Sequence, residues 1–242
     1  MIETGDINKT GGEKKRRILF AKILVIAVSL IIVLAAAMFV KLNHEQSKMQ
    51  IIETQEIIPG IFAVSNDSVN FFLIKTGDKY IAIDAGANKG KTEKELKKLG
   101  ISSDDVAGVY LTHSHYDHIG ALSLFRNAIF FTGNEKLPKR VKIPVHHQIL
   151  PDGGISELYE VTVEIIYTPG HTENSVCYLI DGKYLFVGDN LSLKDNKIGL
   201  FNSFFNKDND VQGASIQKLS NIEGVQYIFS SHYGFTDNAV FP

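Results

Sequence analysis

Between Thr112 and Gly120 the chain places His113, His115, Asp117 and His118 within six positions, three imidazoles and one carboxylate. Imidazole nitrogens and a carboxylate at this density suit a divalent metal, zinc first, with iron or manganese as alternatives. A polar turn would account for one such histidine, but not for three beside an acid. Two further histidines and an acid stand in comparable settings. His171 follows Thr168-Pro169-Gly170, Asp189 follows Tyr184-Leu185-Phe186-Val187-Gly188, and His232 follows Tyr227-Ile228-Phe229-Ser230-Ser231. Singly, each reads as a cap or turn residue. Together with the first cluster they repeat one design four times, an apolar strand and then a ligand-type side chain.

The elements that must hold these side chains follow from hydrophobic periodicity. Strand-like runs fall at 61–64, 71–75, 80–84, 106–111, 128–131, 161–167, 175–180, 183–187 and 227–231, and helical patterns at 91–99, 119–126 and 213–219. The His-rich stretch thus sits on a strand-to-helix turn. Many strands with few helices between them argue against a simple alternating α/β sheet and for an α+β arrangement.

With these residues in view, the chain resembles the metallo-β-lactamase-like hydrolase superfamily, whose pattern is His-x-His-x-Asp-His, a later His, a later Asp and a final His. The matching positions are His113, His115, Asp117, His118, His171, Asp189 and His232, over roughly Ile51 to the end of the chain. The resemblance implies a four-layer αββα sandwich. It implies one metal on His113, His115 and His171, a second on Asp117, His118 and His232, and Asp189 between the two. Asp84, ending Tyr80-Ile81-Ala82-Ile83, matches a family acid that supports the metal loop from outside. Two Zn²⁺ so held would share a bridging hydroxide as nucleophile, oriented by Asp117. Tyr233, beside His232, is a candidate donor to an oxyanion, or a packed aromatic at a strand end.

Departures from individual branches narrow the expectation. The flavin-linked di-iron branch has a glutamate where this chain has His115. Typical β-lactamases lack the bridging aspartate, and some use a cysteine ligand, whereas Cys177 alternates into an apolar strand and reads as core. The glyoxalase II type has the most similar ligand set. Its C-terminal glutathione-gripping helices find no counterpart in the ten residues after His232, which makes a glutathione thioester an unexpected substrate. Nuclease branches need basic surface. Of 25 lysines and arginines, seven lie in residues 1–41, and of 27 acids only three, so the remainder carries 18 basic and 24 acidic groups, a formal charge of −6. That balance lacks the electrostatic footprint of nucleic-acid binding.

The other organising feature is N-terminal. Ile23 to Val40 is an 18-residue run interrupted only by Ser29. As a helix it covers about 27 Å, close to the ~30 Å hydrocarbon core of a bilayer. Lys14-Lys15-Arg16-Arg17 precedes it, so positive charge stays inside and the following domain faces outward. The expected organisation is a cytoplasmic basic tail (1–17), a transmembrane anchor (18–40), a polar spacer (41–50) and a metallo-hydrolase domain (51–242). A signal peptide cleaved near Ala35-Ala36-Ala37 is the alternative, giving a secreted protein. The single cysteine is compatible with export and gives it no support.

Several residues receive plain readings. His146 and His147 are adjacent on an extended segment and cannot both face one metal, so surface placement is expected, and His44 is expected to be solvated. Leu191 to Gln212, carrying Phe201, Phe204 and Phe205, reads as a long connection whose phenylalanines form a pocket wall or pin the loop to the core. The reading that best joins these features is a single-pass membrane protein with an extracytoplasmic dinuclear zinc hydrolase domain. Its substrate would be a small ester, lactone, thioester or phosphoester. A mononuclear iron oxygenase of sulfur compounds, or a non-catalytic metal-binding or interaction module, is the alternative. Nothing in the sequence fixes an oligomeric state.

Overall fold

In the computed structural model, residues 7–134, 137–138, 141 and 146–241 are described, with side chains from residue 12 onward. Residues 1–6 of the expected basic tail and Ile143 to Val145 of the segment before His146 lie outside that range. The chain divides between Lys48 and Met49 into two units. The first is one helix, α1 (Ile7–Gln46). Its described part contains an 18-residue window of mean hydropathy 3.2 with none of its surface buried, long and apolar enough for a membrane span or a signal sequence alike. The helix continues through most of the expected spacer, because Lys41, Leu42, Glu45 and Gln46 are all good helix formers.

The second unit is a sandwich of two sheets. In the first sheet β1 (Gln55–Ile58), β2 (Ile61–Asn66), β3 (Val69–Thr76) and β4 (Lys79–Ile83) form an antiparallel meander. To it β5 (Val106–Leu111), β6 (Ile129–Thr132) and β7 (His147–Ile149) add in parallel. Helix α2 (Lys89–Lys98), capped by the Asn88 side chain on Lys91 N, makes the crossover from β4 to β5. The second sheet runs in the order β15-β14-β11-β10-β9-β8, that is Gly234–Thr236, Tyr227–Ser230, Tyr184–Gly188, Val176–Ile180, Val161–Tyr167 and Ile155–Leu158. A small hairpin, β12 (Ser192–Lys194) with β13 (Lys197–Gly199), and helix α4 (Asn209–Ser220) lie between β11 and β14.

Side chains alternate across each strand, and that period of two builds the layers. From the first sheet Ala63, Phe72, Ile74, Ile81, Ile83, Tyr110 and Phe131 point inward. They meet Val163, Ile165, Val176, Tyr178, Ile180, Phe186 and Phe229 of the second in one buried cluster. The opposite face of the first sheet, with Val64, Phe71, Leu73, Val109 and Phe130, packs against Leu96 of α2 and the turn residues Leu122 and Phe125. The outer face of the second sheet, with Ile166, Cys177, Leu179 and Ile228, packs against Ile216 and Leu219 of α4. The result is the αββα order that the resemblance implies, with central strands β3 and β10 buried on both faces.

Element boundaries differ where turn chemistry decides them. The helix expected over 119–126 is a single turn, α3 (Tyr116–Ile119), followed by a separate 3₁₀ turn at Leu122–Leu124. The chain leaves the helix at Ala121, whose N–H donates to the Gly86 carbonyl at 3.1 Å, and Gly120 permits this close approach, since a Cβ there would stand 2.0 Å from the Ala87 carbonyl oxygen. The connection expected after Asp189 contains regular structure, the β12–β13 hairpin and the first turn of α4. Six short strands at sheet edges or in that hairpin, β1, β7, β8, β12, β13 and β15, lack the apolar run that marks the others.

Phe229 stacks on Phe186 at 4.4 Å and meets Phe72 edge-on at 5.5 Å, at the centre of the inter-sheet core. Replacing Phe229 with Ala should lower unfolding free energy by about 3–5 kcal/mol. An unchanged urea midpoint would contradict this placement.

Candidate metal centre

Four strand ends deliver the predicted side chains to one place. β5 runs into Thr112-His113, β9 into the Thr168-Pro169-Gly170-His171 turn, β11 into Asp189 and β14 into Ser231-His232. His113, His118, His171, Asp189 and His232 are buried, Asp117 is half-buried and His115 is exposed. Their donor atoms form two groups, each with all its atoms within 4.8 Å of one another: His113, His115, His171 and Asp189, and Asp117, His118, Asp189 and His232.

In the first group His115 Nδ1 stands 3.0 Å from His113 Nε2 and 2.9 Å from His171 Nε2. One ring nitrogen carries at most one proton, so His115 Nδ1 cannot donate to both neighbours. Three ring nitrogens around one point are instead what a tetrahedral zinc site requires, where ligand atoms about 2.0–2.1 Å from the metal are about 3.3 Å from each other. In the second group His232 Nε2 lies 3.4 Å from Asp117 Oδ2 and 3.3 Å from Asp189 Oδ1, and His118 Nε2 lies 3.7 and 3.4 Å from the same two atoms. Asp189 divides between the groups. Its Oδ2 is 3.4 Å from His171 Nε2 and 3.8 Å from His113 Nε2, whereas its Oδ1 faces His118 and His232.

The donor set fits cations on a second count. His118 Nε2 and Asp189 Oδ1 are buried with no hydrogen-bond partner among the described residues, a costly state for two polar atoms that face each other. The far nitrogen of each buried histidine, by contrast, has a partner. His118 Nδ1 is 2.7 Å from Asp84 Oδ2, His232 Nδ1 is 2.6 Å from the Ser68 carbonyl, His171 Nδ1 is 3.2 Å from Asn206 Oδ1, and His113 Nδ1 is 3.1 Å from Thr112 Oγ1. Such partners orient a ligating imidazole and raise its basicity.

Asp84 binds the His-rich turn at three points, accepting from Thr112 N and Thr112 Oγ1, both at 2.8 Å, and from His118 Nδ1. It does so from a left-handed backbone, φ 65°, at the end of β4. That conformation costs a non-glycine residue on the order of 1 kcal/mol, which the three hydrogen bonds offset.

The charges sort into a pattern. Burial opposes protonation of His118 and His232, but the carboxylates around them prevail. Asp189 and Asp84 hold His118 well above its usual pKa, and Asp189 with a hydrogen bond to Asp117 lifts His232 to about 10. Burial together with the charge on His118 pushes His113 well below its usual value, and burial also lowers His171. Asp189 stays ionised despite burial because His232 and His118 face it, and Asp117 is lowered in spite of burial by its hydrogen bond to His232. The carboxylates thus favour protonated His118 and His232, while His113 and His171 favour the neutral ring.

The remaining sequence candidates fall outside this set. Tyr233 is buried in the apolar cluster over α4, its ring edge-on to Phe201 at 5.8 Å. Cys177 is fully buried, its thiol pushed up to about 12 by desolvation. His44, His146 and His147 are exposed. Of the three loop phenylalanines, Phe201 is buried 4.8 Å from the His171 ring and 5.6 Å from His232. Phe204 and Phe205 are exposed and packed on each other. Phe205 lines a cleft of about 370 Å³ with Ser114, His115, His171, Asn174 and Lys207. The sequence reading missed Ser68, Asn206 and Gln212. Ser68 contributes a carbonyl, which no residue type advertises, and the two amides stand far from His171 along the chain.

The imidazole shifts give a pH dependence with a definite sign. In the chelator-treated protein, His118 and His232 stabilise the fold fully below their unfolded pKa of about 6.5, and this is lost as pH rises through the folded values. His113 and His171 act oppositely below about 6.5, since their folded pKa values are depressed. Metal-free stability should therefore peak near neutrality and fall toward pH 10. Zinc should weaken or reverse that fall, because bound metal displaces the protons on His118 and His232. Urea midpoints across this range, with and without zinc, measure both slopes, and a metal-free midpoint rising steadily from pH 7 to 10 would contradict the assignment.

Known proteins bear on this geometry. Residues 64–232 match the family described as the metallo-beta-lactamase superfamily. A protein of Methanocaldococcus jannaschii described as a probable metallo-hydrolase is 30% identical over 141 residues, 58% of this chain and 64% of that one. An atrochrysone carboxyl ACP thioesterase of Aspergillus fumigatus is 29% identical over 123 residues, 50% of this chain and 39% of that one. The chain thus spans less than two thirds of the length of either relative. The crystal structure of a metallo-beta-lactamase family protein from Thermus thermophilus superposes with a TM-score of 0.61 at 21% identity, over 75% of this chain and 76% of that one, a likeness of fold. With the family match covering well over half of its length, the chain belongs to the metallo-beta-lactamase superfamily.

Proposed function

We propose that this protein is a membrane-anchored dinuclear zinc hydrolase that acts on a small ester, lactone, thioester or phosphoester. The observation that carries the reading is Asp189, whose two oxygens face two separate nitrogen-rich groups. One metal belongs to His113, His115 and His171, the other to Asp117, His118 and His232. This pairing favours two metals over the single iron of a sulfur oxygenase. Likeness to a fungal ACP thioesterase supports thioesters within the substrate set.

When bound, the metals supply Lewis acidity toward the substrate oxygen and lower the pKa of water toward neutrality. The chain's own groups do the rest. Asp117, the half-buried carboxylate of the set, is held unprotonated, with Oδ2 turned to the second metal group, and would orient the attacking hydroxide. The cleft of about 370 Å³ beside His115 and His171 receives the acyl part, with Ser114, Thr172 and Asn174 as polar contacts and Phe205 as an apolar wall. Burial of Tyr233 against Phe201 supports a packing role for its ring.

The helix gives the setting. We assign residues 1–17 to a cytoplasmic basic tail, 18–40 to the anchor, 41–50 to a spacer and 51–242 to an outward-facing hydrolase domain, on the apolar window and the basic residues before it.

Zinc-loaded protein should turn over at least one class in a panel of lactones, thioesters, phosphodiesters and β-lactams. His115→Ala and Asp189→Ala should each lose more than the roughly 10–100-fold that removal of an outer partner costs. Full activity in both variants would overturn the reading, as would oxygen consumption with one iron per chain.

A further inference from the structure

We propose that Gln212 and Asn206 are positioning residues for the metal centre: a relay of amide hydrogen bonds, anchored on the backbone N–H of Phe201, fixes the tautomer of His171. The inference rests on the two-metal reading of the site and concerns residues outside both ligand groups.

The relay starts at a group that can only donate. Phe201 N–H donates to Gln212 Oε1 at 3.0 Å, which settles which way the buried Gln212 amide faces. Gln212 Oε1 also accepts from Asn206 Nδ2 at 2.7 Å, and Gln212 Nε2 donates back to Asn206 Oδ1 at 3.1 Å, so the two amides form a reciprocal pair. Asn206 Nδ2 has two more oxygens beside it, Asn209 Oδ1 at 2.8 Å and the Phe201 carbonyl at 3.2 Å. A flipped Asn206 would set its carbonyl oxygen against three acceptors. Asn206 Oδ1 is therefore the atom that faces His171 Nδ1, at 3.2 Å. A carbonyl oxygen there requires the proton on Nδ1 and leaves the lone pair on Nε2, the atom that faces His115 and Asp189.

The same segment holds the backbone of both ligands. Lys207 N donates to the His171 carbonyl at 3.1 Å and Asp208 N to the Gly170 carbonyl at 2.9 Å. Gln212 Nε2 reaches the Asp189 carbonyl at 3.4 Å. Gly170, at φ 135°, lies so close that a Cβ would stand 2.4 Å from Gln212 backbone atoms, so the turn carrying His171 is seated directly on the start of α4. Phe205, Asn206 and Lys207 also line the cleft, so one stretch of chain forms the cleft wall and orients a ligand.

The test is ring-nitrogen NMR of the chelator-treated, ¹⁵N-histidine-labelled protein, together with zinc affinity by chelator competition. Wild type should show His171 as a single Nδ1–H tautomer. Gln212→Leu releases the Asn206 amide without touching any ligand side chain. It should lose that single tautomer and weaken one of two zinc sites roughly 10–100-fold. Gln212→Glu keeps an oxygen toward Phe201 N–H but sets its second oxygen against Asn206 Oδ1 and the Asp189 carbonyl, so it should be impaired as Gln212→Leu is. Asn206→Leu, one hydrogen bond nearer the ligand, serves if Gln212→Leu does not fold, and should behave as Gln212→Leu does. Wild-type tautomer and zinc affinity in the leucine variants would overturn the proposal, as would a glutamate variant with both readouts at the wild-type level. Wild-type protein that binds fewer than two zinc ions would defeat the two-metal reading, while the tautomer measurement in the metal-free protein would still decide the relay.

Discussion

A carboxylate with almost no contact with water sits among four imidazoles, and the architecture of the site follows from that burial. Asp189 is 4% exposed. An ion so placed costs several kcal/mol unless opposite charge and hydrogen bonds surround it. Compensation comes from the charges favoured on His118 and His232 beside Oδ1, while the His171 and His113 rings stand 3.4 and 3.8 Å from Oδ2. These histidines arrive from three separate strand ends, β5, β9 and β14, while Asp189 itself ends β11. Satisfying one carboxylate therefore ties both sheets together at their loops. Asp84 repeats the arrangement one layer back, with Thr112 and His118 closing around a fully buried acid.

Two imidazolium ions are an imperfect substitute for what the donor set invites. They offset part of the acidic charge, but His118 Nε2 and Asp189 Oδ1 remain without hydrogen bonds. In the first group His115 Nδ1 faces two ring nitrogens at hydrogen-bond distance and can donate to only one of them. Both defects have one remedy, a pair of cations, each taking lone pairs from three directions. The exposed His115 and the buried His171, both of the first group, line the cleft.

Much of this was legible before any coordinates. Each ligand-type residue follows an apolar strand, and strands bury their alternate side chains whatever the family. The runs at 106–111 and 161–167 appear as strands with unchanged limits, and the helix at 91–99 shifts by two residues at its start and one at its end. Strand alternation also identified Cys177 as core, and adjacency on an extended segment His146 and His147 as surface. What escaped the sequence depends on long-range placement. The helical pattern over 119–126 looked continuous because periodicity does not register a backbone N–H, that of Ala121, drawn to a carbonyl of another loop. The edge strands carry polar residues because one of their faces meets water. Ser68 holds His232 with a main-chain carbonyl, and Asn206 and Gln212 reach His171 across more than thirty residues of chain. Hydrogen-bond partners of this kind have no spacing rule, so the residues that orient the ligands were less visible than the ligands.

The account stands on two metals joined by one aspartate. Diffraction from zinc-loaded crystals at energies on either side of the zinc edge tests it most directly. The account predicts two anomalous peaks per chain about 3.5–4 Å apart, one bounded by His113, His115 and His171 and the other by Asp117, His118 and His232, with Asp189 between them. A single peak confined to one group, at saturating zinc, would contradict it.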